Sequence, residues 1–83
     1  MTEAEIRRAF LQDLISVAPD IDPATVGDND HLQVDLEIDS MDFLNLVAAL
    51  HQRFGLAIPE VDYPDLATTG KAVRYLAEQL SKP

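Results

Sequence analysis

The chain has 83 residues, 47% of them apolar, 25% charged and only 6% aromatic, and its fifteen acidic residues against six lysines and arginines give a formal charge of −9. This length holds one small domain, residues 1–83, with no room for a large catalytic cleft, and the acidic balance excludes a protein whose task is to bind nucleic acid or an anionic membrane, because phosphate recognition needs clustered cations. The absence of cysteine excludes a disulfide scaffold and thiolate metal sites, and with no cleavage signature and no run of eighteen apolar residues the expectation is a soluble cytoplasmic protein without membrane insertion.

Thr2 followed by Glu5 forms a capping box, so a helix is expected to start here. Ile6, Phe10, Leu14 and Val17 recur at spacings of four, four and three and mark one buried stripe, which Pro19 ends. Residues 18–39 contain Pro19, Pro23, Gly27 and many Asp and Asn, and predict a long loop pinned to the core by Ile21, Val26, Leu32, Val34 and Leu36. A loop of this length inside a small domain points to function. The second helix is predicted from Met41 to Phe54, with Asp39 or Ser40 as N-cap, Gly55 just past its end, and Phe43, Leu46, Val47, Leu50 and Phe54 on its apolar face. Pro59 and Pro64 interrupt the next stretch, leaving room for a short helical turn around Tyr63 to Leu66. Thr68 or Thr69 caps a last helix with Val73, Leu76 and Leu80 at helical spacing, and Ser81-Lys82-Pro83 is read as a frayed tail. No segment alternates well enough to predict a strand. The fold class is therefore all-α, a small bundle of three to four helices with a long loop between the first two.

No Lys or Arg lies between Ala9 and Gln52, while Asp13, Asp20, Asp22, Asp28, Asp30, Asp35, Glu37, Asp39 and Asp42 all do. Either this is a solvated face, or it is a one-sign surface for basic partners, since crowded like charges repel. A calcium loop begun at Asp28 and Asp30 fails at Leu32 and Gln33, where an oxygen ligand and a turn glycine are required. His31 and His51 lack a metal-ligand spacing, and neither a glycine-rich phosphate loop nor a nucleophile elbow is present. Catalytic residues and a metal site are accordingly not expected. What remains is the helix start D-L-E-I-D-S-M-D-F-L-N-L-V, residues 35–47. A serine there has its hydroxyl near unpaired backbone N–H groups and the positive end of the helix dipole, where a phosphate is favoured. Composition and periodicity leave open whether Ser40 carries one or merely caps the helix.

Asp39-Ser40-Met41, followed by Asp42, resembles the D-S-L/M attachment motif of acyl carrier proteins. The likeness continues through Leu46-Val47, Ala49-Leu50, Phe54-Gly55 and Ile58-Pro59-Glu60, and resumes at Leu66-Ala67-Thr68-Thr69-Gly70-Lys71-Ala72-Val73. The resemblance implies a bundle of acyl-carrier type that is a carrier and not a catalyst. A separate Mg2+-dependent phosphopantetheinyl transferase would move 4'-phosphopantetheine from coenzyme A onto Ser40, and the distal thiol would hold an acyl group as a thioester for acyl-loading and acyl-transferring enzymes. It also implies that Asp39 and Asp42 meet basic partner residues, with Asp39 alternatively a plain cap, and that Met41 is an exposed contact or else a core residue. Asp35 and Glu37 extend this recognition surface. An acyl chain would fold back among Leu46, Leu50, Phe54, Ile58, Tyr63 and Leu66, which are first of all core positions.

Two departures from the family pattern carry meaning. Glu37, three before Ser40, stands where such carriers usually have glycine, and is expected to require ordinary backbone angles. The second helix, typically rich in glutamate, has Asn45, His51, Gln52 and Arg53 at polar positions, with Asp42 against Arg53 for a balance of zero. The expectation is a monomeric, specialised carrier for fatty-acid, lipid or polyketide-type biosynthesis, with docking shifted to the acidic loop. The alternatives are an aminoacyl or peptidyl carrier and an unmodified acidic interaction module.

Overall fold

Local signals decide where the three main helices begin and end. In the computed structural model, which describes residues 1–82, α1 spans Glu3–Val17, α2 Ser40–Phe54 and α3 Thr69–Ser81. Two 3-10 segments lie between them, Pro23–Thr25 in the long loop and Glu60–Leu66 before α3. The capping box is complete: the Glu5 N–H donates to Thr2 Oγ1 at 3.1 Å and the Thr2 N–H donates to Glu5 Oε1 at 2.8 Å. The Thr2 N–H holds the Glu5 carboxyl below its ordinary value. Asp39, not Ser40, caps α2, accepting from the Asp42 N–H at 2.7 Å. Gly55 ends that helix in the left-handed conformation (φ 65°), which glycine adopts without the clash a Cβ would add. Thr68, not Thr69, caps α3 through the Lys71 N–H.

The stripes meet in one core. Ile6, Phe10 and Leu14 of α1, Phe43, Leu46, Val47 and Leu50 of α2, and Ala72, Val73, Tyr75 and Leu76 of α3 are buried together with Leu32, Ile38 and Leu66. α1 packs against both α2 and α3, and the second 3-10 helix packs on α3. Four expectations need correction. Val34 is 72% exposed and does not pin the loop, a role taken by Ile38, whose N–H donates to the Leu32 carbonyl at 3.1 Å. Leu80 lies past the packed part of α3 and is 37% exposed. Ser81 is helical and Lys82 is its C-cap, while Pro83 of the expected frayed tail lies outside the described residues. The short turn expected at Tyr63–Leu66 is a longer 3-10 helix that contains Pro64. The proline deletes one hydrogen bond beside Val61, which is exposed, so water can replace the missing donor.

The loop of residues 18–39 is tied down by polar contacts. The Leu32 N–H donates to the Ala67 carbonyl at 2.9 Å, and His31 forms an isolated bridge with Thr68. The Gly70 N–H donates to the Asp28 carbonyl at 2.9 Å, a close approach in which a Cβ on residue 70 would sit 3.1 Å from that oxygen. Arg7 Nε donates to Asp28 Oδ1 at 3.2 Å. Asp22, Asp30 and Asp35 accept from the backbone N–H groups of Ala24, Gly27 and His31. Much of the acidic run thus serves to satisfy turn backbone. Asp13 leaves the one-sign surface altogether. It is buried and bound by Arg53 through two bonds of 2.9 and 2.8 Å, which hold the guanidinium pKa above its ordinary value.

Candidate functional site around Ser40

Ser40 is the first residue of α2 and is exposed. Because Asp39 supplies the capping oxygen, the serine hydroxyl is not needed to start the helix. The first intrahelical bond runs from the Phe43 N–H to the Asp39 carbonyl at 3.0 Å, so the N–H groups of Ser40 and Met41 belong to the unpaired first turn. A hydroxyl there lies in the positive end of the helix dipole, an environment that stabilises an attached phosphate.

Ser40 borders an open groove of about 600 Å³. One wall is α2, through Phe43 and Leu44, and the facing wall is the second 3-10 helix, through Glu60, Tyr63 and Pro64. His31 and Gln33 of the loop and Ala67 and Lys71 at the start of α3 complete the lining. Phe43 and Tyr63 meet edge to face with ring centroids 5.6 Å apart, a contact worth about 0.5–1.5 kcal/mol that joins the two walls. His31 Nδ1 accepts from the backbone N–H groups of Gln33 and Val34, both at 3.2 Å, which assigns the ring proton to Nε2 and fixes the loop at the groove's edge.

The structure distributes the expected site residues unevenly. Asp39 and Met41 flank Ser40 and are exposed, Met41 at 68%, and Asp42 is half-buried one position further on. Asp35 and Glu37 are exposed on the approaching loop. Of the six residues expected around an acyl chain, Tyr63 alone lines the groove. Leu46, Leu50 and Leu66 are fully enclosed core residues, and Phe54 and Ile58 pack against the core, with Phe54 at the opposite end of α2 from Ser40. Leu46 and Leu50 lie on the face that helical spacing marks as buried, and that face packs against α1. Leu44 was missed although its signal was present: it is an apolar residue off the buried stripe, four positions from Ser40 and therefore on the same face. His31, Gln33, Glu60, Pro64, Ala67 and Lys71 gave no local signal, since only the chain's return past the second 3-10 helix brings them together.

Glu37 overturns the expectation of ordinary angles. Its φ is 59°, left-handed, and it is the only such non-glycine among the described residues. The chain reverses there between half-buried Leu36 and buried Ile38, a turn glycine would make freely. The left-handed conformation costs roughly 1–2 kcal/mol in a residue with a Cβ, against roughly 0.4–1 kcal/mol of extra unfolded-state entropy in glycine. Glu37→Gly is therefore expected to stabilise by about 0.5 kcal/mol and raise the melting temperature by roughly 2–4 °C. A lower melting temperature by differential scanning calorimetry would show that the Glu37 side chain contributes more than its backbone loses.

A sequence profile described as the phosphopantetheine attachment site matches residues 9–76. The chain belongs to the acyl carrier protein family. This carrier is 41% identical to the acyl carrier protein of Lactobacillus johnsonii over 76 residues, 92% of this chain and 94% of that one. It is 39% identical to the acyl carrier protein AcpXL of Rhizobium etli over 59 residues, 71% of this chain and 64% of that one. Among solved structures, an acyl carrier protein from Enterococcus faecalis superposes with a TM-score of 0.73 at 28% identity, covering 94% of this chain and 98% of that one. Membership makes the protein a non-enzymatic carrier of a covalent 4'-phosphopantetheine, working with a phosphopantetheinyl transferase and acyl-handling enzymes. The chemistry around Ser40 fits such a group: an exposed hydroxyl, a helix start that favours phosphate, and a groove of mixed polar and apolar lining. No helix among the described residues is long and apolar enough to cross a membrane.

Proposed function

We propose that Ser40 is the attachment point and that the protein is a monomeric, one-domain cytoplasmic carrier presenting acyl thioesters to enzymes of lipid or polyketide-type biosynthesis. The observation that carries this reading is the division of labour at the start of α2, where Asp39 caps and leaves the exposed Ser40 hydroxyl available. In the transferase complex that hydroxyl would pass its proton to a base and bond to the phosphorus that bears the pantetheine arm, forming a phosphodiester as the pyrophosphate P–O bond of coenzyme A breaks and adenosine 3',5'-bisphosphate leaves with its electron pair. The helix dipole and the unpaired first-turn N–H groups stabilise the charge left on the protein. When attached, the group supplies a thiol on a flexible arm that holds the acyl chain as a thioester. Asp39, Met41 and Asp42 around the serine, with Asp35 and Glu37 on the approach, offer a mixed acidic and apolar surface to basic partners.

A dedicated pathway is supported by α2 itself. Asp42 is its single carboxylate, and Arg53 is engaged by Asp13, so the carboxylates that a partner meets lie mainly on the loop. Incubating the apo protein with coenzyme A, Mg2+ and a broad-specificity transferase is expected to add one phosphopantetheine by intact mass, and Ser40→Ala is expected to abolish the addition completely. An unmodified wild type with several transferases would instead make this an interaction module. The mass of the thioester isolated from the native host identifies the cargo and separates an acyl from an aminoacyl load.

A further inference from the structure

The second 3-10 helix is held to its surroundings by different chemistry on each side. Towards the long loop, the Leu32 N–H donates to the carbonyl of Ala67, the residue that ends the segment, at 2.9 Å. Towards α3, the Tyr75 hydroxyl donates to Asp62 Oδ2 at 2.7 Å. Towards α2, no hydrogen bond joins the two elements among the described residues, and the contact is the edge-to-face pair of Phe43 and Tyr63. This third side is the one next to Ser40, which stands three residues before Phe43.

The ring pair lies across the way inward from Ser40. Three residues beyond Phe43 comes Leu46, and three beyond Tyr63 comes Leu66; both, with Leu50, are enclosed without exposed surface. Phe43 itself is 7% exposed and Tyr63 is half-buried. A straight chain that starts at Ser40 and heads for the core therefore meets two aromatic rings before it meets the leucines. Two opposing quantities decide whether it passes. The ring contact favours the closed arrangement about two- to ten-fold, and withdrawing Phe43 from the core adds roughly another ten- to hundred-fold. Each methylene moved from water into the core favours entry about four-fold. The two balance after roughly three to five methylenes.

We propose that the Phe43–Tyr63 contact is a bar that sets the minimum cargo length for entry into the bundle. Acetyl and butyryl thioesters stay at the surface, whereas a straight eight-carbon chain parts the rings and lies against Leu46, Leu50 and Leu66. Phe43 and Tyr63 are in this sense specificity-determining residues, sorting cargo by length before any partner enzyme meets it. The proposal rests on attachment at Ser40.

The test loads each form of the protein with acetyl, butyryl, hexanoyl and octanoyl phosphopantetheine from the corresponding acyl-coenzyme A, with loading confirmed by intact mass. Methyl NMR of Leu46, Leu50 and Leu66, referenced to the acetyl form, reads entry, and thioester cleavage by hydroxylamine reads shielding. In the wild type the butyryl form is expected to match the acetyl form in both. The octanoyl form is expected to shift the three leucines and to be cleaved about ten-fold more slowly, from the methylenes in excess of the balance point. Tyr63→Ala removes one ring from a half-buried position, and Phe43→Leu removes the other while keeping the core filled. In either variant entry is expected to begin one even-numbered step shorter, because the lost contact equals about one to two methylenes. Tyr63→Phe keeps the ring and is expected to keep the wild-type onset. Leucine shifts present at butyryl or absent at octanoyl in the wild type, an onset unchanged in both ring-removing variants, or an onset moved as far by Tyr63→Phe, overturn the bar and leave the carrier reading standing. A wild type that takes no adduct overturns both.

Discussion

Replacing Arg53 by Met is expected to cost about 2 kcal/mol and to lower the melting temperature by roughly 10 °C. The Asp13 side chain is 10% exposed, and both of its oxygens are bound by the Arg53 guanidinium across 40 residues of sequence. Removing the cation leaves a largely buried carboxylate without the donors of those two bonds. Losing one partner of a fully buried pair costs roughly 3–5 kcal/mol. Arg53 is 38% exposed, which lets solvent screen the pair and sets the lower figure. The same logic gives the control: Asp13→Leu combined with Arg53→Met removes both charges and is expected to recover to within about 1 kcal/mol of the wild type. Urea denaturation of both variants checks this. A cost below about 0.5 kcal/mol for Arg53→Met would place the pair with ordinary surface bridges.

Alkaline conditions are expected to loosen the contact between the second 3-10 helix and α3. Tyr75 is buried and donates its hydroxyl to Asp62 Oδ2 at 2.7 Å. Burial first, then the bond and charge of Asp62, push its pKa up from 10.0 to about 12. The unfolded chain therefore releases this proton near pH 10 and the folded chain near pH 12. Between those values unfolding releases a proton, so stability falls as pH rises; the contribution is fully present below pH 10 and gone above about 12. Its upper bound is roughly 2–3 kcal/mol, a large part of the roughly 4–12 kcal/mol available to a domain of this length. Tyr75→Phe is expected to lose about 1 kcal/mol at neutral pH and to flatten the decline between pH 10 and 12. Urea midpoints at several pH values decide it, and an equally steep decline in the variant would assign the loss to other groups.

Both contacts show where reading the chain alone falls short. The Thr2–Glu5 box, the Asp39 cap and the left-handed Gly55 are legible because each is settled by residues within one or two turns. The attachment motif is legible for the same reason, as a short string at a helix start. Arg53 meeting Asp13, and Tyr75 meeting Asp62, depend on how helices pack, and nothing near those residues announces the partner. An aspartate that holds a turn and one that only faces solvent look alike in sequence, so the backbone bonds accepted by Asp30 and Asp35 are not legible there. The buried face of α2 is legible from its spacing, with Leu46 and Leu50 in the core, whereas the groove on the Leu44 side is not, because its walls come from distant parts of the chain. Glu37 was misjudged because a φ of 59° is imposed by the two flanking apolar anchors, not by glutamate's own preference.

Ile38 is held in the core with its N–H on the Leu32 carbonyl, and only Asp39 stands between it and Ser40. The angle of the Ser40 hydroxyl about the α2 axis is set downstream, by the buried stripe of Phe43, Leu46, Val47 and Leu50, because each residue of the helix turns by roughly 100°. A residue inserted between Ser40 and Phe43 would swing the hydroxyl by that amount against the packed stripe, whereas one inserted between Ile38 and Asp39 would be taken up by this short tether and leave the hydroxyl facing water.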